Sequence, residues 1–207
     1  MTYYGHTANL DMLERSASSG LINGLFDSDG KLRRVALLSV YEGNVYESLA
    51  LTLWRTTLPA HTLKLGPTVE ADDAYKHVEF IEINFFNSST ERLRIPLDAQ
   101  WGTHLRWRGP GYQDSGGFRY ISLADVWDGK VNQKDLQGKV AFWGSTSVGL
   151  MDLRSTPVNP SFPGVEIHAL SYAGLSDQAF LVAPGFAMGW EVLSLCLLGL
   201  IWILGLR

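Results

Sequence analysis

The chain has 207 residues, 46% of them hydrophobic, and a formal net charge of −4 at pH 7. This length permits a sizeable core, while the acidic balance argues against nucleic acid as a partner because such binding needs a basic surface. The single cysteine, Cys196, excludes an internal disulfide and a cysteine zinc cluster.

The first predicted feature is a tight turn at Asp27-Ser28-Asp29-Gly30. Aspartate caps turns through its side chain, and glycine accepts a positive φ. The further acidic ligands of a calcium loop are missing, which argues against a calcium site. Arg33 and Arg34 follow the turn, where they could hold an anionic ligand, form ion pairs with the turn, or lie on a solvated strand edge.

The middle of the chain alternates β-forming runs with one amphipathic segment. A helix is predicted over residues 46–54, because Leu49, Leu53 and Trp54 fall on one helical face. Residues 59–73 contain Gly66-Pro67 and are predicted to form a loop. A short apolar run predicts a buried strand over residues 35–41, and β-branched and aromatic residues predict a hairpin of two strands over 78–85 and 93–97. Residues 104–108 alternate polar and apolar side chains, which predicts a half-exposed strand.

Aromatic residues crowd the glycine-rich region that follows. They could line a ligand pocket, or they could anchor a long irregular loop on the core. The residues are Trp101, Trp107, Tyr112, Phe118, Tyr120 and Trp127.

Three elements are predicted in the next part of the chain. Ser122 occupies an N-cap position and predicts a short helix over residues 122–127. A buried strand is predicted over residues 140–143, followed by a turn of small residues. Pro163-Gly164 opens a second helix with little polar face, which is therefore predicted to be buried.

The C-terminal tail is strongly apolar. Residues 185–206 contain Glu191 as their only charge and would extend about 33 Å as a helix, enough for a bilayer core of about 30 Å. We therefore predict a transmembrane helix over residues 185–207. Arg207 at its end predicts that this end is cytoplasmic and that the preceding domain lies outside.

Catalytic patterns are incomplete in this sequence. Ser145 or Ser147, Asp152 and His168 follow the order of an α/β-hydrolase triad, but the nucleophile elbow of such enzymes is missing. The Gly-x4-Gly frame at residues 144–149 lacks the Lys-Ser/Thr pair of a phosphate loop. We therefore predict no catalytic residues and no cofactor.

A metal site at Glu166 and His168 is also not expected. Two residues apart on a helix, they diverge by about 200° and cannot ligate one metal ion. His168 is interpreted as a hydrogen-bonded core histidine whose titration would permit a pH switch.

In several blocks, the chain resembles the second type of CHASE domain, an extracytoplasmic sensor domain of bacterial signalling receptors. Order and spacing of the blocks agree from about Gly5 to Pro184. They are Asp27-x-Asp29-Gly30-x-x-Arg33-Arg34-Val35-x-Leu37, Tyr46-x-Ser48-Leu49-Ala50, Ile95-Pro96-Leu97-Asp98, Ile121-Ser122-x-x-Asp125-Val126, Leu136-x-Gly138-Lys139-Val140, Gly144-Ser145-Thr146, Asp152, Thr156-Pro157 and Pro163-Gly164-Val165-Glu166-Ile167-His168-Ala169.

The resemblance implies an α/β fold with a mixed β-sheet and flanking helices over residues 1–184, followed by the transmembrane helix. It implies a non-catalytic sensor on the outer side of the cell membrane, which relays a signal to a cyclase or kinase. The family's first strand-helix units and its output domain are not represented in this sequence. Signature positions that the resemblance offers for ligand binding are Asp29, Arg33, Arg34, Asp152 and His168.

The expected partners are the membrane, a small-molecule or protein signal, and a second copy of the chain in a homodimer. Two alternatives to the sensor remain. One is a small α/β-hydrolase that uses Ser145 or Ser147 with His168, and the other is a non-catalytic interaction module for a partner receptor.

Overall fold

The computed structural model describes residues 10–66, 78–86, 92–112, 117–146, 150, 152–181 and 187–205. Over these residues the chain is a mixed α/β structure of small sheets and flanking helices, which confirms the predicted α/β class. The described ladders are antiparallel, and the one parallel pairing among these residues is the isolated bridge between Leu21 and Ser48.

The helices and strands are named here in chain order. They are α1 (Asp11–Glu14), β1 (Gly24–Phe26), β2 (Leu32–Ala36), β3 (Leu38–Tyr41), β4 (Asn44–Glu47), α2 (Leu49–Thr56), β5 (His61–Gly66), β6 (Phe80–Phe85), β7 (Arg92–Pro96), β8 (Gly102–His104), α3 (Leu123–Trp127), α4 (Gln133–Leu136), β9 (Leu153–Arg154), β10 (Phe162–Pro163), α5 (Gly164–Ser176) and α6 (Ala187–Gly205).

The first sheet has the order β1-β2-β8. The predicted turn between β1 and β2 is confirmed: the Gly30 amide donates to the Asp27 carbonyl at 2.9 Å, and Gly30 has φ of 73°. The predicted strand over residues 35–41 is interrupted at Leu37. Its amide donates to the Trp101 carbonyl at 2.9 Å, so β2 and β3 enter different sheets.

Helix α2 begins later than predicted. Residues 44–47 form strand β4 and pair with β3, with Tyr46 opposite Ser39. Ser48 is the N-cap, and its side chain accepts a hydrogen bond from the Leu51 amide at 3.2 Å. The prediction of a helix from residue 46 was wrong at its start because the β-forming side chains Val45 and Tyr46 pair with a strand.

The second sheet has the order β5-β6-β7, and its β6-β7 ladder confirms the predicted hairpin. Strand β5 was predicted to be a loop; instead Leu63 pairs with Ile83 on β6. The strand predicted over residues 104–108 was wrong except at His104, because β8 covers Gly102–His104 and ends there.

The core lies between these sheets, α2 and α5. Leu51, Ile81 and Ile95 are fully buried, and Phe162 on β10, directly before α5, is buried with them. Helix α5 packs against α2 and buries residues on most of its surface, which confirms the predicted buried helix.

Residues 119–146 contribute no buried residue. The short helix α3 forms as predicted, but the predicted buried strand over residues 140–143 was wrong. No backbone hydrogen bond joins residues 140–144 to another described residue, so they have no neighbouring strand there. Trp127 and Trp143 are 88% and 84% exposed.

The C-terminal helix α6 has 19 residues and a length of about 28 Å. Among the described residues, no helix has the length and apolar character needed to cross a membrane. The structure thus does not support the transmembrane helix predicted over residues 185–207. Residues 189–205 of α6 are exposed along its length.

Candidate functional site

An open cleft lies where strands β1 and β2 face the start of helix α5, and we name it the His168 cleft. The centres of water-sized molecules can occupy about 50 Å³ of it, several times the 10–15 Å³ needed to hold one water. Its lining residues are Ile22, Asn23, Gly24, Leu32, Val35, Asp152, Arg154, Gly164, Ile167 and His168.

A short strand pair brings the polar side of the cleft together. Strand β9 pairs antiparallel with β10, so Leu153 lies opposite Pro163. The chain then enters α5 at once, and the Gly164 amide donates to the Asp152 carbonyl at 2.8 Å. Two sequence-predicted site residues, Asp152 and His168, therefore line the same cleft.

Gly164 is required by this arrangement. A Cβ atom at this position would lie 2.3 Å from Oδ2 of Asp152, which is closer than real contacts allow. The absence of a side chain at Gly164 lets the carboxylate rest against the first turn of α5. The positive end of the helix dipole favours a carboxylate there.

The charged groups of the cleft are Asp152 and Arg154. Nη2 of Arg154 lies 2.9 Å from Oδ1 of Asp152, and both side chains are 43% exposed. An ion pair this exposed contributes little to the free energy of unfolding. Either side chain can therefore leave the pair and bind another charged group.

His168 is half-buried and makes no hydrogen bond to any described residue, so the expected hydrogen-bonded core histidine is not what the structure contains. Burial is the largest cause that lowers the pKa of His168; Arg154 also lowers it, while Asp152 opposes both. The ring is therefore neutral at neutral pH, with two nitrogens available.

The other predicted positions form a separate ion-pair network. Arg33 bonds Asp27 and Asp29, each at 2.6 Å, and Arg34 bonds Asp27 at 2.9 Å and Asp98 at 2.8 Å. Hydrogen bonds from these guanidinium groups lower the pKa of Asp27 and the pKa of Asp29. The ion-pair interpretation of the turn is therefore the one that the structure contains.

None of Asp29, Arg33 and Arg34 lines the His168 cleft. Leu32, their neighbour on β2, does, and its amide donates to the Ser155 carbonyl at 2.8 Å. The five signature positions thus divide into two groups, and β2 carries Arg33 and Arg34 of the first group while its Leu32 lines the cleft of the second.

A buried carboxylate is the feature that sequence reasoning missed. Glu166, only 4% exposed, accepts hydrogen bonds from the Tyr120 hydroxyl at 2.5 Å and the Tyr112 amide at 3.1 Å. Burial, followed by the Glu166 carboxylate, raises the pKa of Tyr120. A Cβ atom at Gly111 or Gly117 would lie 3.2 or 3.0 Å from this carboxylate.

These contacts fasten the described residues between β8 and α3, which we name the aromatic loop, to β10 and α5. Tyr112 and Tyr120 stack at 6.1 Å, and Trp107 meets Phe162 edge-on at 5.2 Å. This favours the anchoring role of the aromatic residues, from which Trp127 departs because it is exposed. The sequence signal that could have indicated this role is that Glu166 is a single acidic residue on a helix without a polar face.

The hydrolase pairing is not formed among the described residues. His168 makes no hydrogen bond to Ser145, and Ser147 lies outside the described residues. Nor does the described part of the chain bring three or more histidine, cysteine, aspartate or glutamate side chains together to hold a metal ion.

Comparison with known proteins gives one family and no individual relative. The model of the CHASE2 domain matches residues 6–206. No curated protein and no solved structure gives a significant match. A match over nearly the whole sequence, in agreement with the signature blocks, shows that the chain belongs to the CHASE2 family of extracytoplasmic sensor domains.

Proposed function

We propose that this chain is the input module of a membrane signalling receptor. It receives a signal in the His168 cleft and relays it through α5 to a cyclase or kinase output. The observation that carries this proposal is the cleft itself. It brings together Asp152 and His168 of the family signature, with Asp152 in an exposed ion pair to Arg154 and His168 without a hydrogen bond to any described residue.

Helix α5 supplies the mechanical link. Ile167 of this helix is a core residue, while His168 beside it faces the cleft. A packed helix moves as a unit, and small shifts of such helices are a common way to transmit a signal. A ligand that repositions His168 would therefore shift α5 against α2.

Helix α6 supplies the attachment to the membrane in this proposal. Apart from Glu191 and Ser194 its described side chains are apolar around the helix, with Leu195, Ile201 and Trp202 each more than 60% exposed. A helix that is hydrophobic all round requires an apolar environment. Carbonate extraction should leave the chain in the membrane pellet, and release of the wild-type chain into the supernatant would contradict the attachment.

The relay is tested in a chimaera in which residues 1–207 replace the input domain of a receptor with a measurable kinase output. His168→Gln should change the output at equal protein level. His104→Gln, at an exposed histidine on β8, is the control and should not. Unchanged output in His168→Gln, Asp152→Asn and Arg154→Gln would refute the role of the cleft.

The outer location has its own test. In a Cys196→Ser background, Ser28→Cys places the only thiol on the exposed turn before β2. A membrane-impermeant maleimide should label this thiol in intact cells as fully as in lysed cells. Labelling that requires lysis would place the domain on the cytoplasmic side.

A second candidate function is an interaction module, which the uncovered surface of residues 119–146 favours. Helices as short as α3 and α4 gain most of their stability from packing, yet none of these residues is buried. Self-association through this surface would give a homodimer in light scattering that Trp143→Ser weakens. A wild-type monomer at high concentration would exclude this self-association.

A further inference from the structure

The lining of the His168 cleft is balanced in charge. Asp152 carries one negative charge and Arg154 one positive charge, while His168 and Asn23 are uncharged polar groups. A purely anionic ligand would meet Asp152, and a purely cationic ligand would meet Arg154. A ligand that carries both charges avoids either repulsion.

We propose that the His168 cleft binds a small zwitterion that joins an ammonium group and a carboxylate, as a free amino acid does. This inference rests on the proposed sensory function and names the class of its signal. The carboxylate of the ligand pairs with Arg154 and the ammonium group with Asp152. His168 and Asn23 complete the hydrogen bonds.

The existing ion pair leaves room for these contacts. Nη2 of Arg154 forms the ion pair with Asp152, and among the described residues Nη1 makes a long contact of 3.4 Å to the Leu153 carbonyl. Oδ1 of Asp152 lies 2.9 Å from Nη2 of Arg154, and the two carboxylate oxygens together offer more acceptor positions than this one contact uses. Each charged group thus keeps hydrogen-bonding capacity for a ligand.

The size and the apolar part of the cleft restrict the ligand further. The cleft offers about 50 Å³ to the centres of water-sized molecules, which suits the small head of an amino acid. Leu32, Val35 and Ile167 supply an apolar floor on which a short aliphatic side chain packs. We therefore expect small aliphatic amino acids to bind better than large or charged ones.

Isothermal titration of the full 207-residue chain tests the proposal with glycine, L-alanine, acetate and methylammonium as probes. Glycine or alanine should bind at least about tenfold more tightly than acetate or methylammonium, because each half-molecule makes one of the two charge-assisted contacts. Acetate or methylammonium that binds equally well would overturn the zwitterion. Absence of binding by glycine and alanine would do the same.

Matched variants locate the binding. Asp152→Asn and Arg154→Gln should each weaken binding about tenfold or more. Arg108→Gln is the control, because Arg108 forms an ion pair of similar exposure with Asp177, away from the cleft, and should leave affinity unchanged. Equal weakening in the control would assign the binding to general surface charge and reject the site.

The chimaera separates this inference from the proposed function. If the cleft variants change the kinase output but neither amino acid binds, the ligand class is wrong and the sensory role stands. If the amino acids bind with the expected variant pattern but the output never responds, the cleft is a zwitterion site and the sensory role fails.

Discussion

Tyr120→Phe removes the hydroxyl that donates to the buried Glu166 carboxylate and keeps the ring that stacks on Tyr112. Hydrogen bonds to charged groups contribute about 1.5–3 kcal/mol, and in the variant the carboxylate keeps the Tyr112 amide as a donor. We expect the free energy of unfolding to fall by about 2 kcal/mol, which corresponds to roughly 4–8 °C in Tm for a chain of this size.

Urea unfolding followed by tryptophan fluorescence measures this loss. Tyr172→Phe is the matched control, because the Tyr172 ring contacts Phe142 and its hydroxyl makes no hydrogen bond to another described residue. The control should change stability by no more than about 0.5 kcal/mol. A Tyr120→Phe variant that is as stable as the control would refute the anchoring role of Glu166.

A double-mutant cycle assigns the loss to the pair. Glu166→Gln keeps the shape of the side chain and removes its charge, so part of the bond to Tyr120 disappears in the single variant. The double variant should then lose less than the sum of the singles, with a coupling energy of about 1 kcal/mol. Additive losses would show that Tyr120 and Glu166 act independently.

Three further predictions concern the glycines and the titrating groups. Gly164→Ala should displace the Asp152 carboxylate and weaken the binding of free glycine about tenfold. Gly174→Ala on the same helix is the control, because no atom lies within 4 Å of the added methyl, and it should leave binding intact. Calorimetry measures both affinities, and equal effects would contradict the steric reason. Because the folded-state pKa of His168 is lowered, its contribution to the free energy of unfolding should be full above about pH 6.5 and should fall as the pH drops through that value. His168→Gln should flatten this dependence of the free energy of unfolding on pH. An unchanged pH profile in the variant would contradict the role of His168. The pKa values of Asp27 and Asp98 are lowered; at Asp98 burial raises the pKa, but hydrogen bonds outweigh it. The contribution of both carboxylates to the free energy of unfolding should therefore be complete above about pH 4 and be lost at more acid pH. Asp98→Asn should reduce that loss in acid unfolding, and an identical acid midpoint would exclude Asp98 as a cause.

Local chemistry in the sequence predicted several elements well. The Asp27–Gly30 turn, the β6-β7 hairpin, the Ser122 helix start and the Pro163-Gly164 helix start depend on residues that are close in the chain, and each formed. A turn or a cap is decided by one or two side chains and the backbone beside them.

Elements that depend on distant partners were harder to predict. Leu63 and Ile83 pair across a segment with loop-forming residues, so β5 carried no local strand signal strong enough to outweigh them. Val140 and Trp143 have strong β-forming side chains but no described neighbour to pair with. A strand exists only where a second strand accepts its hydrogen bonds, and a sequence pattern does not contain that partner.

The candidate site shows the same division. Asp152 and His168 were identified from signature positions. Arg154 was missed because its role depends on its ion pair with Asp152, the residue before β9. Glu166 was considered only with His168 as a metal pair. The buried partners that explain it, Tyr112 and Tyr120, lie 46 to 54 residues away in the chain.

The divergence that argues against a metal at Glu166 and His168 gives α5 its two connections. Since these side chains leave the helix about 200° apart, Glu166 holds the aromatic loop while His168 faces the cleft. A ligand that displaces α5 should therefore also displace Glu166 and change its hydrogen bond from Tyr120. Because coupling is reciprocal, release of the loop by Tyr120→Phe should change ligand affinity in the cleft without any contact to it. Equal affinity in Tyr120→Phe and wild type would show that α5 does not carry the signal as one body.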